Sequence, residues 1–123
     1  MTKHNLIIKS VQVITGVTLA EMRQKTRRRT IVDARRLTCA IIRELTGMTL
    51  WDIAKLLNDE DGHYCSHSVV VHYIESDRGE RNTVYVANRR DIIKRVERLY
   101  IPEATAKEAW GNLWEGVASP CLI

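Results

Sequence analysis

No apolar run in this chain of 123 residues reaches membrane-spanning length, because Leu6-Ile7-Ile8 is stopped by Lys9 and the longest later cluster is Val69-Val70-Val71. A bilayer span needs about 20 mostly apolar residues. Neither a transmembrane helix nor a secretory signal is therefore expected, and the cytoplasm is the expected location. The glycine-rich nucleotide signatures are missing too. Neither a GxxxxGKS or GxxxxGKT phosphate loop nor a GxGxxG is present, so no cradle for nucleotide phosphates is expected. Cysteine is scarce: Cys39, Cys65 and Cys121 are odd in number and widely spaced, which argues against a disulfide framework and fits a reducing compartment. No internal repeat, low-complexity tract or linker marks a second domain. The length suits one core and is too short for a nucleotide-hydrolysing domain plus a binding module.

What the chain has is localised positive charge. Arg23, Lys25, Arg27, Arg28, Arg29, Arg35 and Arg36 lie in one stretch with a single acid, Asp33, so this stretch carries +6 of a net +4 and all other residues sum to −2. Such a cluster has the form of a phosphate-binding surface, on which neutralised phosphates release counterions. The competing reading is a solvated helix face. Arg78, Arg81, Arg89, Arg90, Lys94, Arg95 and Arg98 form a more dilute basic region, interrupted by Glu80, Asp91 and Glu97. Ion pairs along an exposed helix account for it.

Three segments begin with a threonine followed three residues later by an acid: Thr18 with Glu21, Thr30 with Asp33, and Thr49 with Asp52. Each is expected to start a helix as a capping box, the hydroxyl accepting from a free first-turn N–H and the acid reaching back. Gly16, Gly47 and Gly79 are placed as stops. The expected helices span 4–15, 19–25, 31–46, 50–57, 67–77 and 84–100, with a further one over 103–117. Ile31, Ala34, Thr38, Ile41 and Leu45 form an apolar stripe at helical spacing, as do Tyr85, Ile92, Val96 and Leu99. On propensity, Thr83 to Ala87 also suits a short strand.

The segment Leu-Thr-Gly-Met-Thr-Leu-Trp-Asp-Ile-Ala-Lys-Leu-Leu from Leu45 reads as a short capped helix with Leu50, Ile53, Ala54 and Leu57 inward. After a loop comes Ser66-His67-Ser68-Val69-Val70-Val71-His72-Tyr73, a second helix whose first turn offers small hydrogen-bonding side chains. Helix, turn, helix is the plain reading, and in that motif the second helix enters the major groove by its N-terminal end. The intervening loop is acidic at Asp59, Glu60 and Asp61. It lacks the alternating ligands and closing glutamate of a calcium loop, since the twelfth position from Asp59 is Val70. His63, Cys65, His67 and His72 crowd together, but their spacing lacks the paired geometry of a zinc site. A Cys65 nucleophile with His63 or His67 as base has no third orienting group in the sequence. No cofactor or metal and no enzymatic activity are expected. Trp51 is open between covering core and lying against a phosphate.

In combination these residues resemble a known family, the C-terminal DNA-binding domain of the bacterial replication initiator DnaA, with its Trp repressor-like helical fold. The resemblance runs from about His4 to Ser76. It rests on Thr15-Gly16-Val17-Thr18-Leu19, Gln24-Lys25-Thr26-Arg27, Ala34-Arg35, Arg43-Glu44-Leu45-Thr46-Gly47-Met48-Thr49-Leu50, Asp52-Ile53, and His67-Ser68 with His72. It implies that Arg27 enters the minor groove of an AT-rich box, where the two phosphate rows deepen the negative potential, and that Lys25 and Arg29 contact the adjacent backbone. His67 and Ser68 align with the histidine and first threonine of the family's DHTT signature, which reads the major groove. Ser66 and Val69 depart from it: a serine stands in for an aspartate that accepts from cytosine, and Val69 offers only apolar contact. Cys65 replaces a usual arginine, and the loop before it is longer than the family's. These departures bear on which sequence is preferred.

The expected molecule is an all-α, compact helical domain with a helix-turn-helix, made of a DNA-binding region over 1–78 and a C-terminal helical extension over 79–123 packed on the same domain. Lys25, Arg27, Arg28, Arg29, Arg35, Ser66, His67, Ser68 and Val69 are the expected contacts to double-stranded DNA, with Arg28 and Arg35 on phosphates. The ATPase domain of a full initiator is not in the sequence, so a stand-alone module of bacterial or phage origin, associated with the nucleoid, is expected. Its role would lie at a replication origin or in transcription. Trp110, Leu113, Trp114 and Val117 recur at helical steps and either pack back on the domain or form a dimer or partner surface. The competing function is a protein-interaction module of the replication machinery that keeps the fold without base recognition.

Overall fold

The apolar stripe from Ile31 onward organises the molecule around its longest helix. A computed structural model describes residues 2–58 and 65–100. Within them lie α1 (Lys3–Thr15), α2 (Leu19–Met22), α3 (Arg29–Thr46), α4 (Leu50–Leu57), α5 (His67–Arg78) and α6 (Thr83–Leu99), and no strand. The fold is all-α, as the spacing and caps require. In α3 the inward positions Ile31, Ala34, Leu37, Thr38, Ile41 and Ile42 are buried, and every other helix packs against it. Ile7, Ile8 and Val11 of α1, Ile53, Ala54 and Leu57 of α4, Val70 of α5 and Ile92 and Val96 of α6 complete one core. Each large aliphatic side chain so buried stabilises the fold by roughly 1.5–3 kcal/mol. The stripes fade at their ends, where Leu45 is half-buried and Leu99 exposed. The expected helix over 103–117, the Trp110, Leu113 and Trp114 surface and the acids of the loop at 59–61 lie outside the described residues.

Two of the three threonines cap their helices, one of them in the full box expected. Glu21 N–H donates to Thr18 Oγ1 at 3.1 Å and Thr18 N–H donates back to Glu21 Oε1 at 3.2 Å, closing a full box. Thr49 Oγ1 accepts from Asp52 N–H at 3.2 Å. The third expectation is corrected: Thr30 lies inside α3, which starts at Arg29 with no side-chain cap. Asp33 is drawn elsewhere, its two oxygens accepting from Arg29 Nε (3.3 Å) and Arg36 Nη1 (2.9 Å). Among the stops, Gly16 and Gly47 take the left-handed conformation with φ of 79° and 68°, where other residues are strained. Gly79 does not, since its φ is −90°.

Helix α6 forms where a strand was the alternative because Asn82 Oδ1 accepts from the N–H groups of both Val84 (3.0 Å) and Tyr85 (3.1 Å). A polar network then ties it to α3 and α5. Arg36 donates to Ser76 O (2.9 Å) and Glu80 Oε2 (2.6 Å) and lies 4.5 Å from the Tyr85 ring centre. Tyr85 Oη donates to Asp77 Oδ1 at 2.6 Å, and Asp77 Oδ2 accepts from Arg89 Nε at 3.1 Å, with Arg89 also bonded to Glu44. Arg89, one of the dilute basic group, thus bridges helices instead of facing solvent alone.

Candidate nucleic-acid interface

Helix α2 stops at Met22, three residues short of expectation, and the chain crosses to α3 as a loop whose carbonyls face inward. The cause is Arg35. On α3 it sits at the fourth step from Ile31, on the apolar face, and is only 1% exposed. Its Nε donates to Met22 O at 2.7 Å and its Nη1 to Thr26 O at 2.8 Å, while Nη2 donates to Gln24 O. One planar guanidinium therefore gathers three loop carbonyls, a geometry that suits its fixed fork of donors. Arg23 adds a second brace by donating from Nε to Leu56 O at 2.9 Å, at the end of α4. Thr26 Oγ1 accepts from Arg28 N–H at 3.3 Å and orients the start of α3.

The seven cations of the run consequently divide. Arg23, Arg35 and Arg36 hold the fold, and the expected phosphate contact of Arg35 gives way to this bracing role because its donors are buried and bonded. Lys25, Arg27 and Arg28 are exposed, and none has an ion-pair partner among the described residues. Arg29 is exposed at 74% of its side chain while sharing Asp33. The available charge is about half of what the sequence displays, and it is concentrated on one braced loop.

That loop lies beside α5. Lys25, Thr26 and Arg27 line a depression of 420 Å³ together with Val32 and Arg35 of α3 and Tyr73 of α5. Helices α4 and α5 pack on each other, and the turn between them is clamped at its base, where Cys65 N–H donates to Asn58 Oδ1 at 2.5 Å. Asn58, the residue after α4, and Cys65, two residues before α5, are thus held together. Ser66 is the N-cap of α5, its Oγ accepting from Val69 N–H at 3.3 Å, and its hydroxyl keeps a proton to donate. His67 follows, half-buried, with its ring against Trp51 (centroids 4.2 Å apart, planes at 30°). Ser68 is exposed. Val69 is half-buried and packs on the core, so its side chain is committed in part to the packing of α5.

Trp51 does not cover the core: it is 63% exposed. Sequence reasoning left its position open, and it missed the bracing roles of Arg23 and Arg35. A signal for Arg35 was present, since positions 31, 34, 35, 38, 41 and 42 share one helix face and all but Arg35 and Thr38 are apolar. Burial pushes the Cys65 thiol up to about 11, which keeps it protonated at neutral pH, the opposite of what a cysteine nucleophile needs. Among the described residues no group of three or more His, Cys, Asp and Glu is placed to hold a metal. His63 lies outside them. No helix among the described residues is long and apolar enough to cross a membrane.

A clamped helix-turn-helix flanked by a braced cationic loop defines a DNA-binding domain of the helix-turn-helix class. The family model of the bacterial DnaA protein helix-turn-helix matches residues 4–76, more than half of the chain, and the chain belongs to that family. Double-stranded DNA is the ligand that this membership implies, and a DNA-binding module of this kind is not itself catalytic. No solved structure matches the chain.

Proposed function

We propose that the chain recognises a specific sequence in double-stranded DNA, with the N-terminal turn of α5 in the major groove and the Lys25–Arg29 loop in the adjacent minor groove, in replication-origin binding or its regulation. The observation that carries this reading is the exposure of Lys25, Arg27 and Arg28 on a loop whose backbone is held from behind by Arg35. A preorganised loop loses little conformational entropy on binding, so its cations act in full on the phosphates. Arg27 is assigned to the minor groove, where a narrow AT-rich stretch favours a guanidinium. Lys25, Arg28 and Arg29 neutralise phosphates, and Ser66, His67 and Ser68 meet base edges.

The test is selection from a random duplex pool at near-physiological salt, followed by titration of the selected, DnaA-box and scrambled duplexes. A preferred sequence bound at least ~10³-fold over competitor is expected. Arg27→Ala should weaken that binding and lower discrimination for AT-rich sequence. Uniform, salt-sensitive binding without any preferred sequence would overturn the proposal.

A further inference from the structure

A tryptophan with nearly two thirds of its surface in solvent calls for a reason, and the structure offers one in the side chain beside it. Trp51 is the second residue of α4. It is 63% exposed, and its recorded aromatic partner is the imidazole of His67, 4.2 Å away between centroids with 30° between the planes. His67 is the first residue of α5, immediately after the Ser66 cap. A side chain at that position has no complete preceding turn to restrict its χ1, unlike one deeper in the helix. A stack restrains the ring through its face and leaves both nitrogen edges open to hydrogen bonding. A tilted aromatic pair therefore fixes where the imidazole edge points without consuming its donors or acceptors.

We infer that Trp51 is a positioning residue for base recognition: its indole holds the His67 imidazole in the orientation that presents the ring edge to the major groove. The inference rests on the DNA reading proposed above and names a determinant of its specificity. Trp51 carries no charge, so it contributes to discrimination between sequences and little to the salt-dependent attraction common to all of them. It also acts through His67, so its effect vanishes when the imidazole is absent.

Wild type, Trp51→Ala, Trp51→Phe, His67→Ala and the Trp51→Ala/His67→Ala double variant are titrated against the duplex selected by wild type and against its scrambled counterpart. Trp51→Ala is expected to lower the ratio of the two affinities about five- to tenfold, the worth of an aromatic pair, while scrambled-duplex affinity stays at the wild-type value and Tm falls by only a few degrees, because the same pair also contributes to folding. Trp51→Phe restores most of the ratio, because a phenyl ring also stacks. The double variant discriminates no worse than His67→Ala alone. Equal loss on both duplexes, an unchanged ratio in Trp51→Ala, or additive losses in the double variant would each overturn the inference. A wild type without any preferred sequence removes the DNA reading and this inference together, whereas a wild-type preference that Trp51→Ala leaves intact removes the inference alone.

Discussion

Replacing Arg35 by methionine separates the role its sequence context suggests from the role its surroundings impose. The change keeps the length of the apolar stem and deletes all three donors. Met22 O then loses a buried partner at 2.7 Å, while Thr26 O and Gln24 O lose theirs at the partly exposed edge of the loop. An unsatisfied buried carbonyl costs roughly 1–3 kcal/mol, and a bond that water replaces costs about 0.5–1.5 kcal/mol, so the three together come to several kcal/mol. Removal of a buried charge relieves some desolvation and offsets part of this, leaving about 3 kcal/mol. That is a large share of the roughly 5–15 kcal/mol that holds a domain together. Urea unfolding followed by far-UV circular dichroism should show a midpoint lower by about 2 M, taking a slope near 1.5 kcal/mol per molar. Arg35→Lys should lose most of the same stability, because a point ammonium cannot span three carbonyls. An unfolding midpoint equal to wild type, with the dependence of affinity on salt reduced by about one phosphate contact, would refute the reasoning and return Arg35 to the DNA surface.

Further outcomes are expected at the two buried cysteines and at Tyr85. Cys65, held at about 11 against an ordinary 9.0 by burial, and Cys39, raised well above its ordinary value for the same reason, should resist iodoacetamide at pH 8 in the native protein and react readily in urea, as mass spectrometry of digested peptides would show; native alkylation of both at the unfolded rate would contradict their burial. Because the folded pKa of each thiol is raised, the unfolded chain holds fewer protons above pH 9, so their contribution to stability is complete below about 9 and is lost as pH climbs toward 11 and beyond, which denaturant titrations across that range would detect. Tyr85→Phe removes the 2.6 Å bond to buried Asp77 while Arg89 keeps its own and should cost about 1–3 kcal/mol. The Tyr85 phenol is itself pushed far up, first by burial and then by Asp77, so its ultraviolet ionisation signal should appear only on unfolding.

Local structure was legible wherever the deciding contacts are close in sequence. The Thr18–Glu21 box, the Thr49 and Ser66 caps and the left-handed stops at Gly16 and Gly47 are each settled within four residues. So are the stripes that place α3 in the middle of the core. Thr30 shows where this legibility ends: its box failed because Asp33 serves Arg29 and Arg36, and Arg36 is held in turn by Glu80 and Ser76 more than forty positions away or close to it.

The cationic run divides along the same line. Sequence by itself determined that a positively charged segment precedes a helix-turn-helix, because charge and periodicity are properties of the chain. It could not tell Arg27 from Arg35, since both are arginines in one basic stretch and their difference is the dielectric around them. Only the packing of α2, α3 and α4 decides that one guanidinium is buried among carbonyls while the other faces water. The same holds for Trp51 and His67, sixteen positions apart and brought to 4.2 Å only when α4 and α5 dock. Hydrogen bonding and stacking act over a few ångströms, and those short distances exist only once the chain has folded.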